Sequence, residues 1–166
     1  EEYLEMIRLK TAALLAASLK IGARLGGASV EDADRLYDFG MHIGVAFQLK
    51  DDLLDVYGNA KVFGKNIGGD ILCNKKTYML IKALEHANAD QHNQLNSWIN
   101  AETFQPAEKI AAVTELYDRI GVKAVCENKI LEYSNRAMES LAAVSIAEEK
   151  KEELKKIIEN LIHREV

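Results

Sequence analysis

Gly44-Val-Ala-Phe-Gln-Leu-Lys-Asp-Asp-Leu-Leu-Asp-Val-Tyr57 is a strongly apolar stretch broken by three aspartates. At about 3.6 residues per turn, Gly44, Gln48, Asp51 with Asp52, and Asp55 fall along one line of a helix. Like charges at this spacing repel by roughly 0.2–0.5 kcal/mol per pair. An acidic trio taken alone is a solvated helix face. Here Leu36, Phe39, Ile43, Phe47, Leu53 and Leu54 leave little of the helix for water, so the acids are expected to face a cavity or crevice. A cation would collect their charge. Oxygen ligands suit Mg²⁺, which takes one or two carboxylates and completes its shell with water and substrate phosphates. The stretch points to a metal–diphosphate site with Asp51, Asp52 and Asp55 as its metal ligands.

The rest of the chain reads as helix too. One proline in 166 residues and few alternating β-branched runs define an all-α chain. A first helix is expected over 1–25, ended by Gly26-Gly27. Ser29, with Asp32 three residues on, caps a second that runs to about residue 57. A glycine-bearing loop follows over 58–69, then helices over 70–87, 89–100, 106–120 with Pro106 in its first turn, and 122–142. Ser145 is expected to cap a last amphipathic helix to residue 163. The mixed-sign run from Glu148 to Lys156 reads as a solvated face with i,i+4 pairs.

Bulk composition narrows the function classes. With 48% hydrophobic residues the chain can build one sizeable core, so 1–166 is expected to form a single all-α unit. A net charge of −5 with interspersed signs argues against nucleic-acid binding, which uses a concentrated basic face. Cys73 and Cys126 lack metal-type spacing and read as buried thiols in a reducing, cytoplasmic compartment. No apolar run is long enough for a transmembrane helix. The chain opens directly in a helical pattern without Met, as the middle of a larger protein would.

Basic and polar residues accompany the aspartates. Lys10-Thr11 lies mid-helix among apolar residues and is expected to face something polar. Gln48 could orient a phosphate or a metal-bound water. Phe63-Gly-Lys-Asn-Ile-Gly-Gly-Asp70 is glycine-rich and carries Lys65; its backbone amides could approach phosphates closely, although it lacks Walker spacing. Asn74-Lys75-Lys76-Thr77-Tyr78 adds two cations in the first turns of the next helix. Each element alone has an ordinary reading: a snorkelling lysine, a satisfied amide, a flexible connection. His42 reads as a packed polar residue. A carboxylate trio with several separate lysines is what a diphosphate needs.

Together these residues resemble the trans-isoprenyl diphosphate synthases, the polyprenyl synthetase family. The string is Lys10-Thr11, Phe47-Gln48-x-x-Asp51-Asp52-x-x-Asp55, Phe63-Gly64-Lys65, Gly69-Asp70 and Asn74-Lys75-x-Thr77, and it covers residues 1 to about 85. The resemblance implies the C-terminal half of the isoprenoid synthase fold and head-to-tail condensation of isopentenyl diphosphate with an allylic diphosphate. It implies about three Mg²⁺ per site and a homodimer. Asp51, Asp52 and Asp55 match the second aspartate-rich motif, the last acting through water. Lys10 and Lys65 match lysines on the allylic diphosphate, Thr11 and Gln48 match polar residues beside the leaving group or the carbocation, and Lys75 matches a further diphosphate lysine. His163-Arg164 could belong to a basic tail.

The chain also departs from the family pattern. Asn74 stands where many bacterial members have Gly, and Met79 where they have Pro. The first aspartate-rich motif, D-D-x-x-x-x-D, does not occur here, nor do the isopentenyl diphosphate ligands, so these residues alone are expected to be inactive. A class I terpene cyclase shares the fold and metal chemistry; the lysine motifs favour elongation over it. A non-catalytic helical partner is the alternative of another class, and three crowded carboxylates speak against it.

Overall fold

A chain with so little proline and so few β-branched alternations builds helices, and the computed structural model shows only helices and turns in the residues it describes, 1–58 and 67–163. They are α1 (Glu2–Ile7), a π-helical segment (Arg8–Ala12), α2 (Ala13–Leu25), α3 (Val30–Tyr57), α4 (Gly69–Leu72), α5 (Tyr78–His86), α6 (Ala89–Ile99), α7 (Pro106–Ile120), α8 (Val122–Ala142), a 3₁₀ turn (Glu148–Lys150) and α9 (Glu152–His163). None of the described helices is long and apolar enough to cross a membrane. The chain divides into two compact units. Of the described residues, the first takes 1–50 and 128–163, and the second takes the rest.

In the first unit, small residues set the packing. A Cβ on Gly44 would lie 2.6 Å from the Ala12 Cα, and one on Gly40 would lie 2.7 Å from the Ala16 Cα. These matched four-residue spacings bring the α1–α2 segment against α3 with backbones nearly touching. Phe39, Ile43, Leu141, Ile158 and Leu161 are buried in this unit. The Ser29 hydroxyl accepts from the Asp32 amide at 3.0 Å, the expected cap of α3. Gly26 follows α2 as expected, and Gly27 takes φ +83°.

Two expectations here are corrected. Ser145 does not cap α9; its amide donates to the Asp32 carboxylate at 2.9 Å, and a 3₁₀ turn precedes the helix instead. The 148–156 run is not wholly solvated. Lys151 is 2% exposed, and its ammonium donates to the Ala142 carbonyl at the end of α8 (3.0 Å) and to Glu148 (2.8 Å). A cation on orphan C-terminal carbonyls is favourable, which outweighs solvation of that one lysine.

In the second unit α7 packs against α4, α5 and α6, with Ile71, Met79, Leu95, Val113, Leu116 and Tyr117 buried. Pro106 starts α7 and Gly121 ends it at φ +83°. The single helix expected over 70–87 is two helices. Asn74 adopts φ +51°, which stops α4, and Thr77 starts α5 by accepting from the Leu80 amide at 3.3 Å. Lys75 therefore sits in the connecting turn, not in a helix. Cys126 is buried as expected, but Cys73, in that turn, is exposed.

Candidate functional site

Asp52 is the most enclosed acid among the described residues, 1% exposed on α3. The Lys75 ammonium donates to Asp52 Oδ1 at 3.1 Å and to Asp70 Oδ2 at 2.7 Å. Burial pushes the Asp52 carboxyl up to about 6, while Lys75 pulls the other way. Burial also works against the Lys75 charge, but contact with Asp70 and Asp52 reverses this and leaves its pKa raised. At neutral pH the pair is ionic. Lys75 is 43% exposed, so one end of the bridge faces solvent and the other does not.

Asp55 holds the start of α4. Its Oδ2 accepts from the Asp70 amide at 2.9 Å, and its carbonyl accepts from Gly68 at 2.6 Å. Burial raises its carboxyl, and the Asp70 amide limits that rise. Gly68 takes φ +86° to make the approach, which glycine does without strain. Asp52, Lys75, Asp70 and Asp55 thus form a ring that begins and ends on α3. Asp51 is half-buried.

The first unit holds the other described candidates. The Thr11 hydroxyl donates to Gln48 Oε1 at 3.3 Å. Lys10 and Thr11 lie in the π-helical segment, where the extra residue per turn changes the direction of both side chains relative to an α-helix. Lys10 is exposed, against the expectation of a polar partner inside the fold. Phe47 is 40% exposed, not shielded as expected. It lines an open apolar pocket of ≈ 300 Å³ with Leu15, Ile43, Ile157, Asn160 and Leu161. His42 is half-buried near the Tyr133 ring, and burial lowers its pKa. Lys65 and its neighbours Phe63 and Gly64 lie outside the described residues, as does Arg164.

Among the described residues, no three His, Cys, Asp or Glu side chains form a ready metal cage. The donor set nevertheless fits Mg²⁺, which needs only one or two protein carboxylates when phosphates and water supply the rest. Asp51, Asp52 and Asp55 are the ligand candidates, of which Asp52 also meets Lys75 and Asp55 also holds the start of α4. Two residues of this cluster escaped the sequence reading as chemical groups. Asp70 was legible from its place five residues before Lys75; the conformation of Asn74 was not.

The chain is similar to known proteins in sequence and in fold. The profile of the polyprenyl synthetase family covers residues 1–117. A short chain isoprenyl diphosphate synthase of Methanothermobacter thermautotrophicus is 36% identical over 165 residues, 99% of this chain and 50% of that protein. A crystal structure of a geranylgeranyl pyrophosphate synthase superposes with a TM-score of 0.91 at 35% identity, over 98% of this chain and 51% of that one. The geranylgeranyl pyrophosphate synthase of Corynebacterium glutamicum, solved with isoprenyl diphosphate and magnesium, gives 0.85 at 31% identity, over 99% and 48%. The chain belongs to the polyprenyl synthetase family and has its fold, and it spans about half the length of the curated relatives it matches.

Proposed function

We propose that the complete polypeptide carrying this chain is a Mg²⁺-dependent trans-isoprenyl diphosphate synthase that joins isopentenyl diphosphate to an allylic diphosphate. The carrying observation is the buried Asp52 paired with a half-exposed Lys75. Burying an ion pair opposes folding unless geometry and further hydrogen bonds repay it. A metal–diphosphate site uses both partners: carboxylates for the cation, ammonium for the anion.

In this reading Asp51 and Asp52 would hold Mg²⁺, and Asp55, committed to α4, acts through water. Lys75, with Lys10 and Lys65, would hold diphosphate oxygens. Bound Mg²⁺ would neutralise charge growing on the departing diphosphate. The allylic C–O bond breaks, inorganic diphosphate leaves, and the π-bond of isopentenyl diphosphate forms the new C–C bond before a proton is lost. Thr11 and Gln48 lie beside the leaving group or the carbocation, and apolar helix faces keep water from the cation. The same reading makes residues 1–166 part of one domain. It makes the protein a cytoplasmic homodimer with about three Mg²⁺ per site.

The test is condensation of isopentenyl diphosphate with dimethylallyl, geranyl or farnesyl diphosphate by the complete natural polypeptide, with Mg²⁺ present or chelated. Product forms only with the metal, and Asp52→Asn and Lys75→Ala each lower kcat/KM by at least about a hundredfold. No prenyl product from any allylic substrate, or full activity in both variants, refutes the reading.

A further inference from the structure

We propose that Lys109 is a positioning residue for Lys75 and acts through the side chain of Asn74. The inference rests on the reading of Lys75 as a diphosphate ligand.

Asn74 is the one non-glycine residue with positive φ among those described, at +51°. L-residues avoid this region because Cβ crowds the following carbonyl; Asn enters it more easily than most because its short amide can bond locally. Both ends of that amide are held. Asn74 Oδ1 accepts from the Lys109 ammonium at 2.7 Å, and Nδ2 donates to the Ile99 carbonyl at 3.0 Å. The side chain thereby ties the turn to α7 on one side and to the end of α6 on the other.

Lys109 is itself unusual. It is 1% exposed on α7, and among the described residues no carboxylate lies within ion-pair distance. Its ammonium has the Asn74 oxygen and the face of the Phe104 ring, 4.2 Å from the centroid. A buried charge opposes folding, so a lysine that serves only packing would be better replaced by Met or Leu. Among the described residues, the one directional bond of its ammonium is the bond to Asn74.

What that bond fixes is the next residue. The Lys75 amide donates to the Asp70 carbonyl at 2.9 Å, and the Lys75 carbonyl accepts from the Thr77 amide at 2.7 Å, in a turn whose direction is set by φ at position 74. From this turn the Lys75 ammonium reaches Asp52 and Asp70. A glycine at 74 would take the same φ unaided. Asparagine needs a clamp, and Lys109 supplies it. Two departures from what sequence rules favour, an Asn in left-handed geometry and a buried lysine with no carboxylate partner among the described residues, thus have one explanation.

The experiment measures Mg²⁺-dependent affinity for inorganic diphosphate by calorimetry on the complete natural polypeptide, with amide hydrogen exchange at Lys75 as a second readout. Lys109→Met weakens binding roughly tenfold, the usual scale for loss of an outer-shell partner, and speeds exchange at Lys75. In an Asn74→Gly background the same Lys109→Met change alters affinity by less than about twofold, because glycine needs no clamp. Should Lys109→Met not fold, Asn74→Ala against Asn74→Gly asks the same question: Ala, strained and unclamped, binds more weakly than Gly. Equal losses from Lys109→Met in both backgrounds, or equal binding by Asn74→Ala and Asn74→Gly, overturn the inference and leave the diphosphate site standing. Wild-type protein that binds no diphosphate with Mg²⁺ overturns the reading of the site, and the inference with it.

Discussion

Asp52→Asn should make the protein more stable and unable to bind Mg²⁺ with diphosphate. The carboxyl is raised from an ordinary 3.8 to about 6, with burial as the main cause. Between those values the folded chain holds more protons than the unfolded one, so stability falls as pH rises, and above about 6 the loss is complete. The rise corresponds to about 3 kcal/mol at pH 7, of which about 2 kcal/mol develops between pH 4.5 and 7. Asparagine mimics the protonated acid and can still accept from Lys75. The variant should therefore gain up to about 3 kcal/mol at neutral pH, or at most about 10 °C in Tm for a chain of this size. Urea unfolding of both proteins from pH 4.5 to 8, with divalent cations chelated, reads Asp52 together with its coupling to Lys75, Asp70 and Asp55. Added Mg²⁺ and diphosphate should then stabilise only the wild type. Parallel stability–pH curves, or a variant less stable than wild type at pH 7, would refute the reasoning.

Gly44→Ala places a Cβ 2.6 Å from the Ala12 Cα, with backbone rather than a flexible side chain in the way. The helices must part, at about 1–3 kcal/mol, and thermal unfolding should show the loss with part of it restored by Ala12→Gly. Thr77→Ala removes the side-chain cap of α5 and should lower stability by about 1 kcal/mol in urea unfolding; no loss would mean that the 3.3 Å contact contributes nothing.

Most of the helix framework was legible because its signals are local. Pro106, Gly121, the Gly26-Gly27 pair and Ser29 each act within a turn of their own position, and each falls where expected. The errors arose where a distant partner decided the outcome. Asn74 breaks the helix expected over 70–87, and its amide is held by Lys109 and Ile99, 35 and 25 residues away. Ser145 looked like a cap, but its amide meets Asp32 from 113 residues away. Lys151 looked solvated until the end of α8 supplied a carbonyl. The site divides in the same way. The aspartate line and Lys75 could be read from spacing and resemblance, whereas the pairing of Lys75 with Asp52 is a tertiary fact.

That pairing also explains how crowded acids survive inside the second unit. Asp52 and Asp55 lie about one turn apart on α3, Lys75 joins Asp52 to Asp70, and the Asp70 amide returns to Asp55. Lys75 and Asp70 each bond two other members, so removing one loosens its neighbours and the substitutions should not act additively. Three carboxylates against one ammonium leave the ionised ring two negative charges, which one divalent cation would balance. In the proposed reading, an arriving diphosphate would compete with the carboxylates for Lys75, and Asp52 would then be free to hold Mg²⁺. Neither exchange strands a buried charge if both occur together; either alone does. A diphosphate without metal, or metal without diphosphate, should therefore bind far more weakly than the pair.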